Sequence, residues 1–345
     1  MSSASIMSSE IAEQADAIDE TLARLTQSRS AVQNFFAGAQ SVLFMARGTS
    51  DNVADYGQYL LSTKSGILAN SGSPSIATAF NAQINLSGHV VIGISQSGST
   101  SEIVQSLAWA KRSGAKTLAL TNVANSPITQ SADLTLLTHA GSERAVPATK
   151  SFSSAMAAMA WIASSLSNGS LDAELAQLSE RVRTALAHSI NFDEIERAIG
   201  SARTLVVAGR GYGQSVAREI ALKLKECALI NASGLSFADL RHGPVAVFSE
   251  GFPLISLGLS AASPLLSGLH DLQRAAHQAG APIINIGGVS GEGIPLHNIS
   301  LPETSDELLP ILQVIPGQKI AERIARSRGF NPDQPRGLNK VTQTV

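Results

Sequence analysis

The stretch His89-Val90-Val91-Ile92-Gly93-Ile94-Ser95-Gln96-Ser97-Gly98-Ser99-Thr100 decides the fold. His89 to Ile94 is a short, continuous apolar run and reads as a buried strand. The residues that follow, Glu102 to Arg112, have helical character. A strand ending in a hydroxyl-rich turn that feeds a helix makes an anion cradle. The first backbone N–H groups of the helix lack intrahelical partners, its dipole adds positive charge there, and the Ser and Thr hydroxyls add donors. The turn carries no Lys, which a Walker A loop needs for the outer phosphates of a nucleotide, so the pattern suits a single phosphate monoester. The same residues also favour plain helix caps, and the local pattern leaves both readings open.

Outward from this turn, strand-like and helical runs alternate. Ser41 to Met45, Val90 to Ile94, Thr117 to Leu120 and Leu134 to Thr138 read as strands, and Val53 to Ser62 and Ile103 to Arg112 as helices. Short apolar strands alternating with helices predict an α/β fold, a parallel sheet covered by helices on both faces. Ligands of such sheets bind outside the C-terminal strand ends, where Ser95 to Thr100 falls. The pattern then repeats. Leu43-Phe44-Met45-Ala46-Arg47-Gly48-Thr49-Ser50 resembles Val206-Val207-Ala208-Gly209-Arg210-Gly211-Tyr212-Gly213, and Ser113-Gly114-Ala115 resembles Ala279-Gly280-Ala281 before a strand at Pro282 to Ile286. This is a duplicated α/β unit. The expected organisation is an N-terminal helix at 1–35, a first domain at 36–166, a helical linker at 167–197, a second domain at 198–330 and a tail at 331–345. In the second copy the phosphate turn corresponds to Leu257-Gly258-Leu259-Ser260, which has lost most of its hydroxyls. One phosphate site per chain is expected, in the first copy.

Composition narrows the function classes. The chain has 345 residues, 44% of them hydrophobic, enough for two cores. A net charge of −2 without a basic run argues against nucleic acid and anionic membranes, and 4% aromatic content against base-stacking platforms. The single cysteine, Cys227, excludes an internal disulfide, fits a cytoplasmic setting and reads as a small buried hydrophobe. Met1 to Ala15 lacks the basic cluster and apolar core of a signal peptide, and Ala155 to Leu166 is too short to span a bilayer. Neither H-E-x-x-H spacing nor a Cys cluster is present, so neither a metal nor another cofactor is expected; Gly209 to Gly213 is not a dinucleotide fingerprint.

Several constellations carry chemistry. Glu219, Lys223 and Glu226 share one face of a helix over Gln214 to Leu229. They read either as a solvated, ion-paired face or, because the flanks are apolar nearly all round, as buried groups that need partners or a function. In the second case Glu226 is a candidate general base. His242 follows the capping-box-like Ser236-Phe237-Ala238-Asp239 and precedes Gly243-Pro244, a helix stop. It can shuttle a proton or cap carbonyls. Gly141 to Lys150 is an ordinary loop or one that wraps a polyhydroxyl ligand. The tail around Asp333, Arg336 and Lys340 is a frayed end or a lid.

As an ordered set these motifs resemble the tandem sugar isomerase (SIS) domains of glucosamine-6-phosphate synthase, from about Val42 onward. The matching segments are Gly48-Thr49-Ser50, Ser95-Gln96-Ser97-Gly98 with Thr100, Thr149-Lys150, Ala221 to Glu226, His242-Gly243-Pro244, and Asp333 to Arg336 with Lys340. The resemblance implies two SIS domains, each a flavodoxin-like three-layer arrangement. It implies that Gly48, Thr49, Ser50, Ser95, Gln96, Ser97 and Thr100 hold a sugar phosphate, with Val146 and Ala148 against the sugar. Glu226 moves a proton between C1 and C2, His242 assists ring opening, and Lys223 and Lys340 contact the sugar and the developing oxyanion. It further implies a homodimer, with His242 donated across the interface, and a tail that closes the site.

The departures shape the expected activity. A glutaminase domain with its N-terminal cysteine is not found in this sequence, Arg47 stands for a cysteine before Gly-Thr-Ser, Pro147-Ala148 replaces Ala-Ser, and Ser99 replaces a Glu. The expectation is an enzyme, a phosphosugar isomerase/deaminase converting glucosamine 6-phosphate and water to fructose 6-phosphate and ammonia. The alternatives are another phosphosugar aldose–ketose isomerase, a galactosamine-6-phosphate deaminase, a fructosamine-6-phosphate deglycase, or a non-catalytic sugar-phosphate-binding regulator.

Overall fold

The computed structural model describes residues 4–340; the outermost residues of the expected N-terminal segment and tail, 1–3 and 341–345, lie outside the described residues. Two five-stranded sheets organise the chain. The first contains β1 (Ser41–Met45), β2 (Leu68–Ser71), β3 (His89–Ser95), β4 (Lys116–Thr121) and β5 (Leu134–Leu137), in the order β2-β1-β3-β4-β5. The second contains β6 (Thr204–Gly209), β7 (Asn231–Ser236), β8 (Leu254–Leu257), β9 (Ile283–Ile286) and β10 (His297–Ile299), in the order β10-β9-β8-β6-β7. Every pairing of named strands is parallel. Counted from the first strand of each sheet, both orders are 2-1-3-4-5. The chain is therefore α/β and internally duplicated in topology.

This order creates a crevice in each sheet. After the first strand the chain turns to one side, and after the second it crosses to the other, so the loops leaving strands one and three diverge at the C-terminal edge. In the first sheet the register pairs Phe44 with Ile92 and Met45 with Gly93, which sets the end of β1 level with the approach to Ser95.

The chain divides into two compact units. One holds the second sheet and, among the described residues, 4–12, 144–147 and 180–338; the other holds the first sheet and 13–143, 148–179 and 339–340. In the first-sheet unit β3 is buried along nearly its whole length, and the helix Lys150–Leu166 is buried almost throughout. Its Ala, Ser and Met side chains are small or pliable enough to pack on all sides. The core between β1, β3, β4 and the helix Ser101–Arg112 is built on Val91, Ile103, Leu107 and Ile128. In the second-sheet unit Phe237, Leu240, Leu269, Leu272 and Ile283 form the equivalent cluster. Burial of each such side chain contributes about 1.5–3 kcal/mol.

Elements differ from the sequence expectation where burial is weak. The strand β2 was not among the expected elements because only Ala69 of its four residues is buried, so it lacks an apolar run. The strand β10 is three residues long and half-exposed. The linker consists of three helices, Asp172–Leu175, Leu178–Ala187 and Phe192–Ile199, and the N-terminal helix is broken into Ile6–Ala12, Gln14–Leu25 and Arg29–Phe36. Among the described residues no helix is long and apolar enough to cross a membrane.

Candidate active site

The first-sheet crevice opens into a cleft with a cavity volume of about 40 Å³. Of the candidate residues, Thr49, Ser50, Gln96 and Ala148 line it, together with Thr121, Asn122, Thr138 and Ser151; Gly48, Ser95, Ser97 and Thr100 are not among its lining residues. Two helices start at its rim. Gly48, at φ +58°, is the N-cap of the helix Thr49–Lys64, and Thr100 is the N-cap of the helix Ser101–Arg112. Neither residue caps its helix through a side chain. The Thr100 hydroxyl instead lies 3.2 Å from that of Ser95, which is 4% exposed. The simple capping reading of this turn therefore does not describe Thr100. Ser97 accepts the Ser99 N–H at 3.2 Å and tightens the turn. Gly98 adopts φ +63°, and a Cβ there falls 2.0 Å from the Ser126 hydroxyl, so only glycine fits. Two helix N-termini and a ring of hydroxyls make this cleft suited to a small oxyanion.

Asn122 was not among the sequence candidates. It follows β4 directly, at the same edge as the Ser95 turn, so the rule that placed one residue applies to the other. Its carbonyl oxygen accepts the Thr138 hydroxyl at 3.0 Å and the Ala140 N–H at 2.7 Å, and its amide donates to the Gly141 carbonyl at 2.8 Å. It thereby sets the start of the loop that leads to Ala148.

That loop is anchored by a buried carboxylate. Glu143 accepts the N–H groups of Thr149 and Ser151, at 2.9 and 3.1 Å, and the Ser151 hydroxyl at 2.6 Å. Lys340 completes the set, donating at 2.8 Å. Burial pushes the Glu143 pKa up, but the Lys340 ammonium and the hydrogen bonds reverse this and hold it below the ordinary value. The structure thus places Lys340 on Glu143. Lys150, 4% exposed, pairs with Glu13. Val146 belongs to the other unit, where its N–H donates to the Asp333 carbonyl at 2.9 Å; it is not among the cleft-lining residues.

The acid–base candidates of the second-sheet unit lie on the helix Gly213–Ala228. Glu219 and Lys223 have side-chain exposures of 0% and 1%, so the solvated-face reading is wrong. The Lys223 ammonium lies 2.6 Å from Glu226 and 3.3 Å from Glu219. Burial alone lowers its pKa, but the two carboxylates overcome this and raise it above the ordinary value, so Lys223 stays charged. Glu226 is the member of the cluster that reaches solvent, at 21%. A partly accessible carboxylate fixed by a buried, permanently charged partner is an oriented base. Cys227 beside it is buried and donates to the Met7 sulfur at 3.8 Å; desolvation pushes its thiol up to about 12, which makes it inert.

His242 is exposed in the turn after the helix Phe237–Leu240. Ser236 caps that helix by accepting the Ala238 N–H at 3.2 Å. Among the described residues no group of three or more His, Cys, Asp or Glu is placed to hold a metal.

Comparison with known proteins agrees with this geometry. A SIS domain profile matches residues 35–165. Glutamine–fructose-6-phosphate aminotransferase (isomerizing) from Thermococcus kodakarensis is 33% identical over 97% of this chain and 57% of its own length. The chain thus spans a little over half the length of the curated relatives it matches. A solved structure from Silicibacter pomeroyi DSS-3, assigned as a phosphosugar isomerase, superposes with a TM-score of 0.85 at 29% identity, covering 96% of this chain and all of the other. The C-terminal domain of glucosamine-fructose-6-phosphate aminotransferase from Francisella tularensis shares the fold, with a TM-score of 0.83 at 24% identity over 96% and 98% of the two chains. Residues 35–165 thus match a SIS domain, and the chain as a whole resembles the isomerase half of glutamine–fructose-6-phosphate aminotransferase.

Proposed function

We propose that this protein is a phosphosugar isomerase acting on an amino sugar phosphate, and that it converts glucosamine 6-phosphate and water to fructose 6-phosphate and ammonia. The observation that carries the reading is the Glu226 carboxylate, partly open to solvent and fixed 2.6 Å from the fully buried Lys223 ammonium. Aldose–ketose interconversion needs one base that serves two adjacent carbons, and a rotationally fixed carboxylate does this without rearrangement. The hydroxyl-lined cleft of the first-sheet unit suits a phosphate group, and binding of a non-reacting group supplies energy for positioning a substrate.

In this scheme His242, supplied by the partner of a homodimer, opens the pyranose ring to an aldehyde in equilibrium with the C1/C2 chain form. Glu226 takes the C2 proton and returns it to C1, while O1 gains a proton and the C2 amino group loses one, leaving a C1 hydroxyl and a C2 imine. Water adds to the imine, and ammonia leaves as the ketone forms. Lys223 and Lys340 balance negative charge on O1 as it develops. The curated relatives are named for amino transfer to fructose 6-phosphate with isomerisation. The same proton transfer run from the amino sugar needs only water, which favours the hydrolytic direction.

The test is to supply purified protein with glucosamine 6-phosphate and to assay ammonia and fructose 6-phosphate together. Equal release of both supports the proposal. Turnover only with galactosamine 6-phosphate or a fructosamine 6-phosphate reassigns the substrate. Aldose–ketose exchange without ammonia reassigns the reaction, and binding without any turnover leaves a sensor.

A further inference from the structure

The loop leaving β1 carries an ion pair that the function above does not use. Arg47 and Glu102 form a two-pronged contact: Nε donates to one carboxylate oxygen at 2.9 Å and a terminal nitrogen to the other at 2.8 Å. Glu102 is the second residue of the helix that starts at the Ser95–Thr100 turn and is 6% exposed; Arg47 lies two residues before the helix that starts at Thr49 and is 46% exposed. The pair therefore joins the loops leaving β1 and β3 and the starts of the two helices that follow them. Asp51, in the first turn of the other helix, also acts on Arg47.

The placement of Glu102 is two-sided. A carboxylate in the first turn complements the dipole of its own helix. It also lies in the turn that a bound phosphate dianion would approach, where like charges repel and burial weakens screening. A buried carboxylate without its partner is costly, and the bidentate guanidinium both neutralises Glu102 and fixes its direction. The Arg47 guanidinium is correspondingly held above its ordinary pKa by the Glu102 hydrogen bond.

We infer that the Arg47–Glu102 pair sets the charge of the phosphate cleft: Arg47 is a positioning residue that cancels Glu102, and the affinity for a phosphate monoester depends on the balance between them. The inference rests on the cleft being the phosphate site of the proposed reaction, and on no step of that reaction. Its signature is a reversal that a merely structural ion pair does not produce. Breaking the pair from the acidic side strengthens phosphate binding, whereas breaking it from the basic side weakens it.

The experiment measures binding of inorganic phosphate, and of fructose 6-phosphate, to the full chain by calorimetry at pH 8. Arg47→Ala weakens both ligands about tenfold, and Glu102→Gln, which keeps the shape and two hydrogen-bonding atoms, tightens both severalfold. Arg47→Ala combined with Glu102→Gln returns to near the wild-type affinity. At pH 5, where the phosphate is a monoanion, the Arg47→Ala effect shrinks. Glu102→Gln stands alone as a test if Arg47→Ala fails to fold. Unchanged or weakened binding in Glu102→Gln overturns the inference, as does failure of the double variant to recover. Absence of phosphate binding in the wild type fails the cleft assignment itself, and phosphate binding without ammonia release fails only the proposed reaction.

Discussion

The two sheets share one strand order yet end differently at the crevice. In the first, hydroxyls from Thr49, Ser50 and Thr121 line a cleft at the ends of β1, β3 and β4. In the second, backbone closes the space between the loops leaving β8 and β9, the third and fourth strands of that sheet. A Cβ on Gly258, after β8, falls 1.7 Å from the Gly287 carbonyl oxygen. The Gln313 side chain, from the helix Leu309–Ser327, then donates to the carbonyls of Gly258 and Ile286 at 2.7 and 2.9 Å. One copy of the topology keeps its polar groups turned toward a cleft, and the other satisfies them internally. A duplicated fold thus separates into a half with an open polar cleft and a half whose helix Gly213–Ala228 carries the carboxylates, because local side chains decide whether a crevice remains open.

This comparison can be broken in several ways. The largest effect belongs to Glu226→Gln, which lowers kcat by about 10²–10⁴ while leaving fructose 6-phosphate binding within twofold; loss of both together refutes the division of labour. Gly258→Ser, which gives the second crevice a hydroxyl like that of the first, costs about 3 kcal/mol or more in urea unfolding because backbone must move. A well-folded Gly258→Ser protein would show that the second crevice is not closed by backbone. Gln313→Leu removes the side-chain donor of the Gly258 carbonyl and one of two donors of the Ile286 carbonyl, and costs about 1–3 kcal/mol, with KM unchanged. Thr100→Val has the opposite profile, with KM raised about tenfold and the urea midpoint unchanged. The smallest effect is acid sensitivity at Glu143. Its pKa is lower folded than unfolded, so it stabilises the fold fully above about 4.5, and the stabilisation is lost as pH falls through the folded value. The stability difference between wild type and Glu143→Gln therefore narrows below pH 4.5, as thermal melts across that range will show.

The candidate site was unevenly legible in the sequence. The turn Ser95 to Thr100 was readable because its function depends on residues adjacent in the chain: a strand end, a glycine and a helix start. The same holds for Thr49 and Ser50. The strand β2 was not readable, because an edge strand with one buried residue has no apolar period. Val146 and Ala148 were paired in the sequence reading as sugar contacts. They separate in the structure, since Glu10 takes the N–H groups of Arg144 and Ala145 while Glu143 takes those of Thr149 and Ser151. Two anchors distant from each other in the chain hold adjacent parts of one loop, and no local pattern reports that.

The sequence by itself determined the α/β class, the duplication and the place of the hydroxyl-rich turn between β3 and its following helix, because each follows from short-range periodicity and residue type. Tertiary structure alone decided the charge state of the site. Lys340 meets Glu143 across 197 residues, Arg47 meets Glu102 across 55, and Gln313 meets Gly258 across 55. Whether a carboxylate is a solvated surface group, a loop anchor or a base depends on its burial and on the cation beside it. Both are properties of packing between elements that the order of residues does not express.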